Sequence, residues 1–185
     1  MGEALNGVIL KICGNCKGGG YKNSDAVEKT ITYVLRENAR KKDDLWGSIG
    51  TFAKTRDGMI RDFYKLKRLY GKEGGTQVKH LVLSWGRRPE IPRKKMRKLL
   101  VQTLCYWGKN YQVVYAVHED HPEDRYHMHM VLNSVSNDGY KIQITGKEKK
   151  EFRDKFNRIW NPYGYHLAGW DKSGIREDKS FDRSE

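Results

Sequence analysis

The chain has 185 residues, enough to form one substantial hydrophobic core, and its 36 Lys and Arg residues outnumber its 23 Asp and Glu residues. The net charge of +13 favours a polyanionic partner, either nucleic acid or an anionic membrane surface. No apolar run approaches the roughly 20 residues that a membrane-spanning helix needs, and the N-terminus lacks a secretory pattern. Nucleic acid is therefore the favoured partner, and we expect no membrane insertion.

The three cysteines do not indicate a disulfide framework. They are Cys13, Cys16 and Cys105, and the odd number fits a reducing compartment. Cys13 and Cys16 form a C-x-x-C pair, but a second cysteine pair that would complete a structural zinc site is missing from the sequence. A loop in a protein of a reducing compartment is the simpler interpretation.

The first part of the chain predicts a strand, a glycine-rich connector and a helix. The strand covers Val8 to Ile12, and the connector covers residues 14–23. Asp25 and Glu28 resemble a capping box, which predicts a helix that extends to about Asn38.

Tyr33 points away from the apolar stripe of this first helix. It shares its side of the helix with three cations, which are Lys29, Arg36 and Arg40. A phenol held among cations can attack phosphorus, which makes Tyr33 a candidate nucleophile. A surface tyrosine that stacks on a neighbouring group is the ordinary alternative. Three other tyrosines compete for the role, namely Tyr21, Tyr64 and Tyr70.

The middle of the chain predicts a loop, a second helix and a buried strand. Trp46 to Phe52 is interrupted by glycines and predicts a loop with exposed aromatic residues, and the helix runs from about Asp57 to Tyr70. Val78 to Trp85 is mostly apolar without clean alternation, which indicates a central strand covered on both faces. His80 lies within it, and a core histidine with satisfied hydrogen bonds is the default interpretation.

Pro89 and Pro92 precede a third helix with strong apolar periodicity, which must cover the sheet. Its beginning is dense in positive charge: Arg87, Arg88, Arg93, Lys94, Lys95, Arg97 and Lys98. A solvated helix face would explain such a run, and in a chain of this net charge a surface that contacts phosphates is an equal alternative.

Two consecutive strands carry three histidines. Tyr111 to Val117 is rich in β-branched and aromatic residues and leads into His118, and Tyr126 to Val135 alternates in polarity. His127 and His129 therefore leave the same face with Cα atoms roughly 6.5–7 Å apart. A hairpin would bring His118 beside them, and this predicts a three-histidine metal site. Histidines that merely hydrogen-bond on a sheet face are the alternative.

The last part of the chain predicts a strand, a helix and a tail. The strand covers Tyr140 to Ile144, and Thr145 with Glu148 forms a capping box for the last helix. Asn161 to Gly164 ends that helix, and Asp171 to Glu185 is polar without periodicity, so we expect a disordered tail or linker.

The order of these pieces resembles the relaxase, or mobilisation nuclease, domain of the VirD2-like (MobP) class of conjugative relaxases, within the wider HUH endonuclease group. The features that carry the resemblance are AVEKTITYVLRE around Tyr33, HLVLSW from His80, YAVHED from Tyr115 and HMHMVLNSV from His127. The resemblance covers roughly residues 5–166. It implies an α+β sandwich whose mainly antiparallel sheet has about five strands with helices packed on it. We expect a relaxase domain over residues 1–170 and a polar tail over 171–185.

The resemblance also implies roles for individual residues. Tyr33 would be the nucleophile, Asp120 would be a catalytic residue that matches the acidic position of the family's H-x-D pattern, and the metal ligands would be His118, His127 and His129. His80 and Asn133 match supporting positions. The implied ion is Mg²⁺ or Mn²⁺, although the affinity order for an all-histidine site favours Zn²⁺ or later metals. The cations and aromatic residue expected to contact DNA are Arg40, Lys41, Lys42, Trp46, Arg87, Arg88, Arg93 and Lys94.

The implied activity is nicking of single-stranded DNA at a transfer origin, with a covalent 5′-phosphotyrosine intermediate and later religation. The implied partners are single-stranded or hairpin transfer-origin DNA, accessory mobilisation proteins and a type IV secretion coupling protein. We expect a location in the bacterial cytoplasm and transport with the DNA into a recipient cell.

Two other functions remain open. A rolling-circle replication initiator of the same group would share the chemistry, but some initiators use two tyrosines on one helix, and here Tyr33 is alone on its helix. A non-catalytic DNA-binding module would need the basic surface without a metal ion.

Overall fold

The computed structural model describes residues 5–14, 21–37, 45–86, 88–119 and 126–171. Within these residues the chain forms an α+β sandwich, in which a mainly antiparallel sheet carries a pair of helices on each face. The strands are β1 (Asn6–Cys13), β2 (Trp46–Ile49), β3 (Val78–Ser84), β4 (Tyr111–His118), β5 (His127–Ser136) and β6 (Tyr165–Asp171). The helices are α1 (Ala26–Val34), α2 (Arg56–Leu69), α3 (Arg93–Gly108) and α4 (Gly146–Trp160), and a 3₁₀ turn covers Asn161–Tyr163.

The described strands form one sheet in the order β2-β4-β5-β3-β1-β6. Neighbouring strands are antiparallel except β1 and β6, which are parallel. The predicted fold class is confirmed, with one strand more than the expected five or so. No helix in the described residues combines the length and apolar character needed to cross a bilayer.

Two sequence predictions about individual elements are wrong. Trp46–Ile49, predicted as part of a loop, pairs with β4 as an edge strand. Glycine at position 47 leaves room for the ring of Tyr115, which lies 3.4 Å from the place that a Cβ atom of residue 47 would occupy. Tyr140 to Ile144 does not form a strand, because only Lys141 makes a bridge, to Val135. The sequence patterns did not predict β6, which follows the left-handed Gly164 (φ 80°).

Two of the four helices in the described residues begin with a side-chain cap. The capping box of Thr145 and Glu148 is present at the start of α4. Thr55 caps α2 by accepting a hydrogen bond from the Gly58 amide. Asp25 does not cap α1 through its side chain but forms an ion pair with Lys29 at 2.8 Å instead. The expected tail lies outside the described residues from residue 172 onward.

Each face of the sheet has its own core. On one face, the aromatic residues of α3 and α4 pack over β1, β3, β4 and β5, and Trp160 donates a hydrogen bond to Thr103 Oγ1 at 2.8 Å. On the other face, α1 and α2 cover Val114, Ala116 and Val131. The histidines of β4 and β5 lie on this second face, beyond its apolar part.

Lys67 of α2 is fully buried and holds the chain before β3. Its Nζ donates to the Gln77 carbonyl at 2.6 Å and to Ser134 Oγ at 2.7 Å. Burial, reinforced by the charge of Lys141, lowers the pKa of Lys67 to about 7. A lysine in the unfolded chain has a pKa of 10.5, so the unfolded chain binds more protons than the folded chain between these two values.

We therefore expect the free energy of unfolding to rise as the pH is raised from about 7 towards 10, by up to about 1.4 kcal/mol per pH unit. Guanidinium unfolding at pH 7, 8 and 9 measures this slope. The Lys67→Met variant should show a smaller slope, and part of the rise should persist because burial also lowers the pKa of Lys141. Equal slopes in the two proteins would contradict the assignment.

Candidate metal centre and active site

The β4–β5 hairpin brings the three predicted imidazoles together. His118 lies opposite His127 in the strand register, and His129 follows two residues later on the same face. The centroid of the His118 ring lies 5.4 Å from that of His127 and 4.3 Å from that of His129. One ring nitrogen from each histidine lies within 4.8 Å of the others, so one cation can contact all three.

Hydrogen bonds leave suitable nitrogens for a metal ion. Nε2 of His118 lies 2.8 Å from the carbonyl oxygen of Val34 and must donate to it, so Nδ1 is the nitrogen of that ring that could bind a metal ion. Nδ1 of His129 lies 2.7 Å from Nε2 of His80. The other nitrogen of His129, Nε2, is buried and has no hydrogen-bond partner among the described residues. A cation would satisfy this buried nitrogen, and the residues present therefore fit a metal.

Burial keeps two of the site histidines neutral. It lowers the pKa of His129 well below the usual value, and the neighbouring imidazoles of His80, His118 and His127 act in the same direction. Burial, followed by the charges of His118 and His127, lowers the pKa of His80 to about 3. Neutral imidazole is the form that binds metal ions.

His80 is a buried histidine with a hydrogen-bond partner on each ring nitrogen. Nε2 contacts His129, as described, and Nδ1 lies 2.9 Å from the hydroxyl oxygen of Tyr21. The default interpretation of a satisfied core histidine holds, but one of its partners belongs to the triad. Neither the involvement of Tyr21 nor the contact to His129 followed from the sequence, because both depend on how distant segments meet.

Tyr33 lies over the histidine cluster. Its ring centroid is 5.6 Å from that of His129, 6.1 Å from that of His118 and 6.4 Å from that of His80. Its side chain is 41% exposed, so a ligand from solvent can reach it. The guanidinium carbon of Arg36 lies 4.2 Å from the centre of the ring, which places positive charge beside the phenol.

Two of the competing tyrosines are bound elsewhere. The hydroxyl of Tyr64 donates to the Ser24 carbonyl at 2.8 Å, and the hydroxyl of Tyr70 donates to the Asn137 carbonyl at 2.6 Å. Tyr21 contacts the cluster through its hydrogen bond to His80. Among the four tyrosines considered in the sequence, Tyr33 is the one whose ring lies against two of the triad histidines.

The predicted DNA-contacting residues have different surroundings. Arg93 lies 3.4 Å and Arg88 lies 3.7 Å from carboxylate oxygens of Glu119, which directly follows His118, so both cations already have an acidic neighbour. Lys94 is exposed near the start of α3, and Trp46 is half-buried against the second core. The other predicted DNA-contacting residues lie outside the described residues, and they are Arg40, Lys41, Lys42 and Arg87. The predicted catalytic residue Asp120 also lies outside them.

Asn133 shares the histidine face but connects secondary-structure elements. Its Nδ2 donates to the Phe63 carbonyl of α2 at 3.1 Å and to Gln112 Oε1 of β4 at 2.9 Å, and its Oδ1 accepts from the Val135 amide. The side chain is fully buried. These contacts hold α2 onto the sheet and do not include a triad histidine.

We expect Asn133→Leu to lower the free energy of unfolding by about 2–4 kcal/mol, because three buried polar groups lose their partner. Metal affinity should stay unchanged in the folded fraction. Urea unfolding in the presence of a chelator measures the first effect, and Gln102→Leu on the exposed face of α3 serves as a control. A variant as stable as the wild type would refute this role.

Residues 33–165 match the family model described as the MobA/VirD2-like nuclease domain of relaxases. This match spans well over half of the chain, and the chain belongs to this relaxase family. Two curated Staphylococcus aureus proteins, each called Protein rlx, are 30% identical to it over 136 and 107 residues, or 73% and 57% of this chain. The matched regions cover 39% and 33% of those proteins, so the chain spans about two fifths or less of their length.

A solved structure shares the fold. It is described as the molecular basis of vancomycin resistance transfer in Staphylococcus aureus, and it aligns with a TM-score of 0.54 over 92% of this chain and 100% of that chain. The sequence identity is 10%, so this similarity concerns the fold alone.

Proposed function

We propose that this chain nicks one strand of DNA at a transfer origin through a covalent tyrosine intermediate, as part of conjugative transfer or mobilisation. The observation that carries the proposal is the position of Tyr33, whose ring centroid lies 5.6 Å from that of His129 and 6.1 Å from that of His118. Membership of the relaxase family supports the same proposal. A nucleophile beside a cation site is the arrangement that phosphoryl transfer to tyrosine requires.

The three triad histidines would hold a divalent cation, which we propose to be Mg²⁺ or Mn²⁺. When bound, the ion would polarise the scissile phosphate and offset the charge that builds up on its oxygens. The hydroxyl oxygen of Tyr33 attacks phosphorus and forms the O–P bond, while the bond from phosphorus to the 3′ oxygen breaks. The phenol loses its proton, and the departing 3′ oxygen gains one. Reversal by the 3′ hydroxyl rejoins the strand.

Arg36 and Asp120 are proposed to assist this step. The guanidinium of Arg36, 4.2 Å above the Tyr33 ring, attracts the negative charge carried by the attacking oxygen and by the phosphate. Asp120 would take the tyrosine proton or orient a triad histidine.

DNA is proposed to approach along the positively charged side of the site. Phosphates would be contacted by Lys94 and by the predicted cations Arg40, Lys41, Lys42 and Arg87. Arg88 and Arg93 would also contact phosphates while they remain near Glu119. Trp46 would stack on an unpaired base. We propose accessory mobilisation proteins and a type IV secretion coupling protein as partners, a location in the bacterial cytoplasm, and transport with the transferred strand.

The decisive experiment looks for the covalent adduct. Labelled single-stranded oligonucleotides that tile the candidate transfer origin are incubated with the protein and Mn²⁺, and the products are separated on a denaturing gel. We expect one oligonucleotide to give a labelled protein band, and mass spectrometry to map the adduct to Tyr33. An adduct at Tyr21, Tyr64 or Tyr70 would contradict the nucleophile assignment. Binding without any adduct across the full origin would favour a DNA-binding module.

The same assay separates the relaxase from a replication initiator. A relaxase should react with oligonucleotides from a transfer origin, whereas an initiator should react with those from a replication origin. The presence of a single tyrosine in α1 favours the relaxase.

A further inference from the structure

His80 lies beside the metal centre without belonging to the triad. It sits in the middle of β3, opposite Val131 of β5, and only 4% of its surface is exposed. Its ring is tilted by 31° to the ring of His129, with the centroids 5.0 Å apart. The Nε2 atom of His80 and the Nδ1 atom of His129 are 2.7 Å apart, so one of these nitrogens donates a proton to the other.

The direction of this hydrogen bond decides whether His129 can bind a metal ion. In the first arrangement, His129 carries its proton on Nδ1 and donates a hydrogen bond to His80. The buried Nε2 of His129 then carries a lone pair. In the reverse arrangement, His80 donates to His129, and the proton of His129 sits on Nε2. That Nε2–H group would be buried with no acceptor among the described residues, which is costly.

Tyr21 completes the first arrangement. When Nε2 of His80 accepts from His129, the proton of His80 is on Nδ1, and it can be donated to the hydroxyl oxygen of Tyr21 at 2.9 Å. Each ring nitrogen of His80 then has a partner of the correct kind. A residue that only filled space at this position would need neither contact, and a leucine would serve.

The backbone of Tyr21 is held in an unfavourable conformation. Its φ of 55° lies in the left-handed region, which residues with a side chain rarely adopt. The Gln77 amide donates to the Tyr21 carbonyl at 2.7 Å, and Gln77 Nε2 donates in turn to the Glu73 and Gly75 carbonyls. The segment that precedes β3 therefore fixes the phenol next to His80.

We propose that His80 is a positioning residue of the metal centre, which accepts a hydrogen bond from Nδ1 of His129 and so fixes His129 in the tautomer that presents Nε2 to the cation. Tyr21 supports this arrangement by accepting a hydrogen bond from Nδ1 of His80. The inference rests on the proposed function in one respect, because it requires that the triad binds a metal ion. A second group that orients a metal-binding histidine typically affects affinity by about 10- to 100-fold.

Three substitutions at position 80 separate the two ring nitrogens. The amide of glutamine in His80→Gln reaches the position of Nε2 and keeps an acceptor for His129. The shorter amide in His80→Asn reaches the position of Nδ1, facing Tyr21, and removes the acceptor. His80→Leu removes both contacts and keeps the volume of the core. Thermal unfolding with a chelator present shows which variants fold.

Affinity for Mn²⁺ is measured from the signal of free Mn²⁺ in electron paramagnetic resonance. We expect His80→Gln to bind like the wild type, and His80→Asn and His80→Leu to bind about 10- to 100-fold more weakly. Equal affinity in all four proteins would overturn the proposal, as would His80→Gln binding as weakly as His80→Leu. If the wild type binds no better than His127→Ala, the metal centre itself is refuted, and the proposal falls with it.

The tautomer is read directly by nuclear magnetic resonance of ¹⁵N-labelled histidine with diamagnetic Zn²⁺ bound. We expect His129 to carry its proton on Nδ1 in the wild type and in His80→Gln. A proton on Nε2 of His129 in the Zn²⁺-bound wild type would overturn the assignment even if the affinities followed the expected order.

Discussion

The Tyr33→Phe variant should form no covalent adduct with origin DNA and should lose roughly 10⁴-fold or more of its cleavage rate. The substitution removes the oxygen that is proposed to bond to phosphorus, but it keeps the ring that packs under Arg36 and beside His129. Folding, Mn²⁺ binding and DNA binding should therefore match the wild type. Cleavage is followed on a denaturing gel, with DNA binding measured in parallel by fluorescence anisotropy.

The matched control for this variant is Tyr64→Phe. Tyr64 is also a partly exposed tyrosine near α1, but its hydroxyl donates to the Ser24 carbonyl and takes no part in the cluster. It should cleave like the wild type. Normal adduct formation by Tyr33→Phe would show that another residue is the nucleophile, and Tyr21 would then be the first to test because it reaches His80.

Removal of one proposed metal ligand should have an effect of similar size. If His127 is a metal ligand as proposed, we expect His127→Ala to bind Mn²⁺ at least about 100-fold more weakly than the wild type, since even residues that only orient a ligand change affinity for the metal by about 10- to 100-fold. Cleavage should fall to the level of wild-type protein treated with a chelator. His127 is the partly exposed member of the triad and begins β5, so the loss of stability should be small.

His166→Ala provides the control for the loss of a histidine. His166 lies in β6 opposite Gly7 and is not part of the triad, so its removal should leave Mn²⁺ affinity and cleavage unchanged. A metal-assisted reaction would be contradicted if the wild-type protein still cleaved DNA in excess chelator. It would also be contradicted if His127→Ala cleaved DNA as fast as the wild type.

The histidine hairpin could be predicted because its geometry is local. Alternation with period two fixes which side chains share a face, and a short connection makes two consecutive strands pair, so the meeting of His118 with His127 follows from the sequence. Helical phase likewise showed that Tyr33 leaves the apolar stripe of α1. The helical phase could not predict that α1 crosses the end of the sheet that carries the histidines.

The errors arise where distant pairing overrides local signals. Gly47 and Gly50 suggested a loop, but pairing with β4 makes Trp46–Ile49 a strand. The segment from Tyr140 has an alternating pattern, yet Lys141 Nζ donates to the carbonyls of Lys72 and Gly74, and the chain leaves the sheet before α4. The contact of His80 with His129 depends on the register between β3 and β5, and no local pattern encodes that register.

The hydrogen bond from His118 to the Val34 carbonyl has a mechanical consequence. Val34 directly follows Tyr33 and is the last residue of α1, so the ring of a proposed metal ligand anchors the end of the helix that carries the proposed nucleophile. One hydrogen bond thus connects the helix of the proposed nucleophile to the proposed cation site. We expect a displacement of the His118 ring to be passed on to Tyr33 through this hydrogen bond, so the proposed ligand and the proposed nucleophile should move together.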